Sequence, residues 1–204
     1  MIHYIISKYV KWIQSVRNSK NRKRLTNKSP SIISANCIGC LISHWLQLPF
    51  NSPFVNLYIE KDEYIELLEN FDLFISSTLT EVNDCNVTFP VGQIIGIKIY
   101  FMHYKIFQDA KDAWERRLKR IDKNNLGIIF PNLTRGDDKI IERFERLSFK
   151  NKIAFSDYPY DSPSVCYIKN WKLNENQGLF HTCNYFTGKR IIDNFDYVSW
   201  INKF

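Results

Sequence analysis

From Ser31 to Phe155, short runs of β-favouring apolar residues take turns with segments whose apolar residues recur every three or four positions. Strands show a period of two or a continuous apolar run, and helices a period of about 3.6. A chain that alternates between the two folds as helices layered on a sheet. The expected strands are residues 31–34, 53–59, 94–103, 126–130 and 152–155. The expected helices are residues 37–48, 61–71, 106–121, 137–147 and a short one at 197–202. Within 61–71, Tyr64, Ile65, Leu67, Leu68 and Phe71 share a helical face, and Asp62 and Glu63 fall in the first turn, where the helix dipole favours carboxylates. Gly92 and Gly96 mark a bend or a close backbone approach near the third strand. Pro159, Pro163, Gly178 and Gly188 break the end of the chain into short strands and loops. The fold class expected is α/β: a single layered domain over residues 29–204, with a central mixed sheet and helices on both faces.

Residues 1–28 read differently. Ile2, Ile5, Ile6, Tyr9, Val10, Ile13 and Val16 form one apolar stripe, so residues 2–16 predict an amphipathic helix, with residues 17–28 as a polar basic linker. These 28 residues carry eight Lys or Arg and no carboxylate, whereas residues 29–204 carry 20 basic and 21 acidic side chains. The net charge of +7 therefore belongs to the N-terminal arm, and the body stands at −1. A nucleic-acid-binding domain spreads its cations over the folded face that meets phosphate, so no nucleic-acid partner is expected. Two roles suit the arm: contact with the anionic inner leaflet of a membrane, or packing on the body or on a second copy. No run approaches the roughly 18 to 20 apolar residues of a membrane span, and the N-terminus lacks a signal-peptide pattern. Five cysteines, an odd number, point to reduced thiols. The expected location is cytoplasmic, peripheral on the inner membrane face.

Four groups of residues are candidates for chemistry. Cys37-Ile38-Gly39-Cys40 opens a helix, where the dipole lowers a thiol pKa, but nothing else in the chain has a redox pattern. Both cysteines therefore read as small apolar residues, and Cys166 and Cys183 are not spaced as a second zinc-ligand pair. In the loop from Ser34 to Gly39, Asn36 and Gly39 either hold a diphosphate at the helix N-terminus or merely cap and pack that helix. His103 and Lys105 precede the 106–121 helix, whose Glu115, Arg116 and Arg117 add a carboxylate and two guanidiniums suited to an oxyanion, or to a solvated charged face. Asp137 and Asp138, after the 126–130 strand, either hold Mg²⁺ or Mn²⁺ against a diphosphate or cap the next helix.

With these segments in view, the chain resembles a bacterial family of exopolysaccharide biosynthesis proteins. The resemblance rests on ordered blocks: Ile33 to Gly39, Leu48-Pro49-Phe50-Asn51-Ser52-Pro53, Phe89-Pro90-Val91-Gly92, His103-Tyr104-Lys105, Trp114 to Arg117 with Arg120-Ile121, and Lys150-Asn151-Lys152. It implies an α/β fold and an association with capsule, exopolysaccharide or lipooligosaccharide gene clusters, some relatives being glycosyltransferases that use nucleotide sugars. This chain departs from the family pattern at Cys40, where a glycine is usual, and at Arg135-Gly136-Asp137-Asp138, which weakens the case for a metal there.

The resulting expectation is a glycosyltransferase that moves a sugar from a nucleotide-sugar donor to a glycan acceptor. His103 or Asp137 would serve as base, while Lys105, Arg116 and Arg117 would neutralise the diphosphate. The alternative is a non-catalytic accessory or scaffold protein of polysaccharide assembly. The two differ in geometry: an enzyme brings His103, the arginine pair and the Asn36 loop together, and a scaffold leaves them apart.

Overall fold

The computed structural model describes residues 2–169 and 183–204, so Gly178 lies outside the described residues. Helix α1 (Ile2–Arg24) precedes β1 (Ser31–Ser34) and α2 (Ile38–Leu46). Helices α3 (Lys61–Glu69) and α4 (Phe71–Ser76) follow, then β2 (Thr80–Val82), β3 (Val91–Ile94), β4 (Ile97–Tyr100) and α5 (Phe107–Leu118). The chain continues through β5 (Leu126–Leu133), α6 (Asp138–Arg146), β6 (Asn151–Ser156), β7 (Val165–Tyr167) and α7 (Tyr197–Ile201).

The α/β class is observed, with the two strand directions divided between two sheets. A parallel sheet has the order β1-β5-β6-β7, and an antiparallel sheet has the order β2-β3-β4. Parallel strands are buried on both faces and read as continuous apolar runs, which explains the Leu-Gly-Ile-Ile-Phe of β5. Alternate residues feed two cores. Ile33, Ile128, Phe130 and Ala154 face a core shared with Tyr64, Trp114, Phe144 and Ile99. Ile32, Ile129, Ile153 and Phe155 face a second one with Ile42, Leu46, Val198 and Ile201. Helices therefore cover both faces of the parallel sheet. Gly127 has no side chain because the rings of Phe204 and Trp200 lie where one would go.

Several expectations need correction. The supposed linker continues α1 to Arg24, and its polar side chains bind other elements. Arg190 donates to Asn18 at 3.0 Å, Asn21 donates to the Tyr197 hydroxyl at 3.0 Å, and Arg22 donates to the Trp45 carbonyl at 3.0 Å. Polar residues that look like solvated linker are tertiary hydrogen-bond donors and acceptors. Residues 53–59 form an irregular buried segment with a single bridge, Tyr58 to Tyr100, because Asn56 takes φ 62° and breaks the extended run. The 94–103 run is a hairpin instead of one strand, turning at Ile95 and Gly96 with φ 45° and 91°. Strand β5 runs through Pro131 to Leu133, where a register shift against β6 accommodates the missing N–H.

Candidate functional site

Ligands of open α/β sheets sit beyond the carboxyl ends of the parallel strands. Here the turns after β1 and β5 lie side by side at that end. After β1, the Asn36 side-chain oxygen accepts from Ile38 N at 3.0 Å and from Ser34 Oγ at 3.4 Å, closing a tight turn that leads into α2. A Cβ on Gly39 would come within 3.0 Å of Ile32 and 3.2 Å of Ser34, so glycine there lets α2 lie close on β1. This leaves Cys37, half-buried at the mouth of α2, as the reactive group of the turn.

The β4–α5 loop carries His103 over the turn, placing its Nε2 3.6 Å from Cys37 Sγ. The Cys37 thiol is pulled down to about 6. Its hydrogen bond with Cys40 is the largest cause, and the bond to His103, the charge of that imidazole and the Asn56 backbone N–H all act in the same direction against burial. Cys40 shifts upward, through its bond to Cys37, its burial and the negative charge beside it. Its Sγ also lies 3.1 Å from the Cys37 carbonyl, a second acceptor for the same proton. The two cysteines are thus unequal: one is an accessible thiolate near neutral pH, the other a buried neutral thiol.

Arg117 is the cation of this neighbourhood. It is half-buried, donates to the Tyr104 hydroxyl at 3.1 Å, lies 5.9 Å from the Phe50 ring, and its charge reaches Cys40. Arg116 and Glu115 point outward on α5, whose buried side is Ala110, Ala113 and Trp114. Among the described residues, Glu115, Arg116 and Lys105 make no side-chain hydrogen bond or ion pair. The expected guanidinium pair is therefore split, because α5 turns Arg117 inward and Arg116 to solvent.

Asp137 lies at the neighbouring turn, after β5, and is buried. One carboxylate oxygen is 2.5 Å from the Lys61 ammonium, and the other accepts from Thr134 N at 2.7 Å and Thr134 Oγ1 at 3.0 Å. Asp138 is the exposed first residue of α6. This donor set does not fit a divalent cation, since an ammonium already stands against one carboxylate oxygen and Thr134 fills the other. Among the described residues no three His, Cys, Asp or Glu side chains cluster as a metal site. Asp137 ties β5, α3 and α6 together instead of presenting a free base.

The site thus unites Cys37, His103 and Arg117 with Asn36 and Asn56. Of these, Cys37 reads from the sequence as a small apolar residue, and Asn56 carries no sequence signal at all. The Cys-x-x-Cys spacing at a helix start was a local signal for the thiol. The imidazole lies 66 residues away in sequence and only the tertiary fold supplies it.

Helices on both faces of a parallel sheet, with a thiol against an imidazole at its carboxyl end, define an α/β protein carrying a candidate nucleophile at a strand-to-helix turn. The chain belongs to the family described as domain of unknown function DUF1919, whose family model matches residues 8–202. It is similar to an uncharacterized protein of Haemophilus influenzae, with 38% identity over 186 residues, covering 91% of this chain and 90% of that one. The family model takes in residues 8–24, most of α1. Among the described residues no helix is long and apolar enough to cross a membrane.

Proposed function

We propose that the chain is a transferase of surface-glycan biosynthesis whose reacting group is the Cys37 thiolate, with His103 as its proton partner. The observation that carries this reading is the 3.6 Å approach of Cys37 Sγ to His103 Nε2 at the carboxyl end of the parallel sheet. The resemblance to exopolysaccharide biosynthesis proteins supplies the glycan as acceptor. Four of its blocks contribute to one place: Asn36 and Cys37, Phe50, His103 and Tyr104, and Arg117. A scaffold role gives no reason for that convergence.

In this reading the Cys37 sulfur attacks the carbonyl carbon of an activated acyl donor, forming a carbon–sulfur bond. The donor's leaving group departs with a proton from His103. An acceptor sugar hydroxyl then attacks the Cys37 thioester, His103 takes the hydroxyl proton, and Cys37 leaves as thiolate. Arg117, whose charge reaches Cys40, and the N–H groups of Gly39 and Cys40 would receive the developing negative charge.

A second reading is sugar transfer from a nucleotide-sugar donor, favoured by the half-buried Arg117 next to the α2 N-terminus, a pairing suited to a diphosphate. His103 would then deprotonate the acceptor hydroxyl. Incubation with acyl-coenzyme A followed by intact-mass analysis separates the two. An acyl adduct that is lost in Cys37→Ala supports the thiol chemistry. A rise of the melting midpoint with one nucleotide sugar, lost in Arg117→Ala and unaccompanied by any adduct, supports sugar transfer. Silence in both leaves the accessory-protein reading.

A further inference from the structure

The eight cations of residues 1–28 are not all used by the fold. Arg17 approaches Asp193 at 3.6 Å, Arg24 pairs with Asp196, and Arg22 donates to Trp45, all on the side of α1 that faces the body. Lys8, Lys11, Lys20 and Lys23 form none of the ion pairs among the described residues, and all four are exposed. Large apolar side chains lie exposed among them: Tyr4 at 64%, Tyr9 at 48%, Trp12 at 64% and Val16 at 40%. At 100° per residue, Tyr9, Trp12 and Val16 fall within roughly 60° of the helix circumference, away from the buried Val10. The Lys8 ammonium lies 4.5 Å from the Tyr4 ring centre, so cation and aromatic share one surface.

A second element extends that surface. The turn from Asn184 to Gly188 packs on α1 through Gly188, against Ile13 and Val10, and the Tyr9 hydroxyl donates to the Phe186 carbonyl at 3.4 Å. At its tip Phe186 is 86% exposed and Tyr185 65% exposed. Nothing in the turn's own hydrogen bonding requires a large apolar residue there, since Asn184 Oδ1 accepts from the N–H groups of Phe186 and Thr187. Ile6 and Tyr185 also line a cleft of about 500 Å³ between α1, α2 and this turn, together with Leu41 and Trp45.

We propose that α1 and the Tyr185–Phe186 turn form one docking surface for an anionic lipid bilayer, lying in its interface without crossing it. Aromatic rings enter the headgroup boundary while lysines meet lipid phosphate, and no carboxylate on residues 1–28 opposes them. This unopposed positive charge suits a lipid surface over a second copy of this chain, whose identical face would set lysine against lysine. The surface is independent of the Cys37 chemistry, so either reading stands if the other fails.

The test is flotation of the full chain with vesicles of phosphatidylcholine, with and without phosphatidylglycerol. Binding to the anionic vesicles alone is expected, released by salt as screening demands. Each lysine near such a surface contributes about fivefold in partitioning, so Lys8→Gln with Lys11→Gln lowers it by roughly 25-fold. Phe186→Ala weakens it without altering the melting midpoint, because the residue is 86% exposed. No binding to anionic vesicles overturns the proposal. So does binding that Trp12→Ala and Phe186→Ala leave intact, or a dimer in solution that Trp12→Ala converts to monomer.

Discussion

Cys37 sits where four favourable interactions with its anion outweigh burial, and this makes two predictions at the scale of single residues. Alkylation by iodoacetamide, followed by peptide mass analysis, is expected to reach half its maximal rate at about pH 6 for Cys37, and His103→Ala moves that point upward. Cys40 stays unlabelled over the same range, since its thiol shifts upward. The sign of the linked stability follows from the same depression. A thiol held low in the folded state and ordinary in the unfolded one contributes fully above its unfolded value and loses that contribution as pH falls through about 6. The stability of the wild type relative to Cys37→Ala should therefore grow between about pH 6 and the ordinary thiol range, by less than about 1.4 kcal/mol per pH unit because solvent screens a half-exposed site. Asp137 makes the opposite kind of case. Its carboxylate satisfies Thr134 and Lys61, so Asp137→Ala should cost roughly 2–3 kcal/mol in urea unfolding, through unpaired buried donors. A neutral result would return Asp137 to the list of candidate bases. From the sequence, the two roles weighed for Asn36 and for Asp137 were equally open, since a cap and a ligand use the same residue types at the same place.

At the scale of elements, the helices over 61–71, 106–121 and 137–147 were legible because their apolar residues repeat at helical spacing and their cores are the faces so marked. The strands 31–34 and 152–155 were legible as short apolar runs. The run at 53–59 has the same composition and is no strand: its apolar side chains are buried, but Asn56 in the left-handed region interrupts extension. Composition reports burial, and only backbone conformation reports pairing. The hairpin turn of β3 and β4 carries its own test. Ile95 holds φ 45°, a conformation that a β-branched residue adopts at a cost, and it is 41% exposed. Asn at this position, followed by Gly96, is the favoured pair for such a turn. Ile95→Asn should therefore raise stability by about 0.5–1 kcal/mol, seen as a higher melting midpoint. A lower midpoint would mean that the Ile95 side chain contributes contacts greater than its backbone strain.

Across the whole molecule, α1 and the end of the chain meet through Arg190, which is buried over Trp45 at 3.9 Å and bonded to Asn18 and Asp193. Removing it leaves the Asp193 carboxylate buried with less compensation. Arg190→Ala should thus lower stability by roughly 3 kcal/mol and speed proteolysis within α1, while an unchanged urea midpoint would make α1 a detachable arm. The sequence by itself determined the α/β class, the position of most helices, the basic charge of the first 28 residues and the neutrality of the body, because periodicity and composition are local or additive properties. Tertiary structure alone decided that the strand directions divide between two sheets, that residues 17–24 continue the N-terminal helix and bind the body where a linker was expected, and that Arg117 faces inward where Arg116 does not. It alone brought His103 to Cys37 across 66 residues, because a site assembled from separate loops exists only after the sheet and helices have fixed their ends in space.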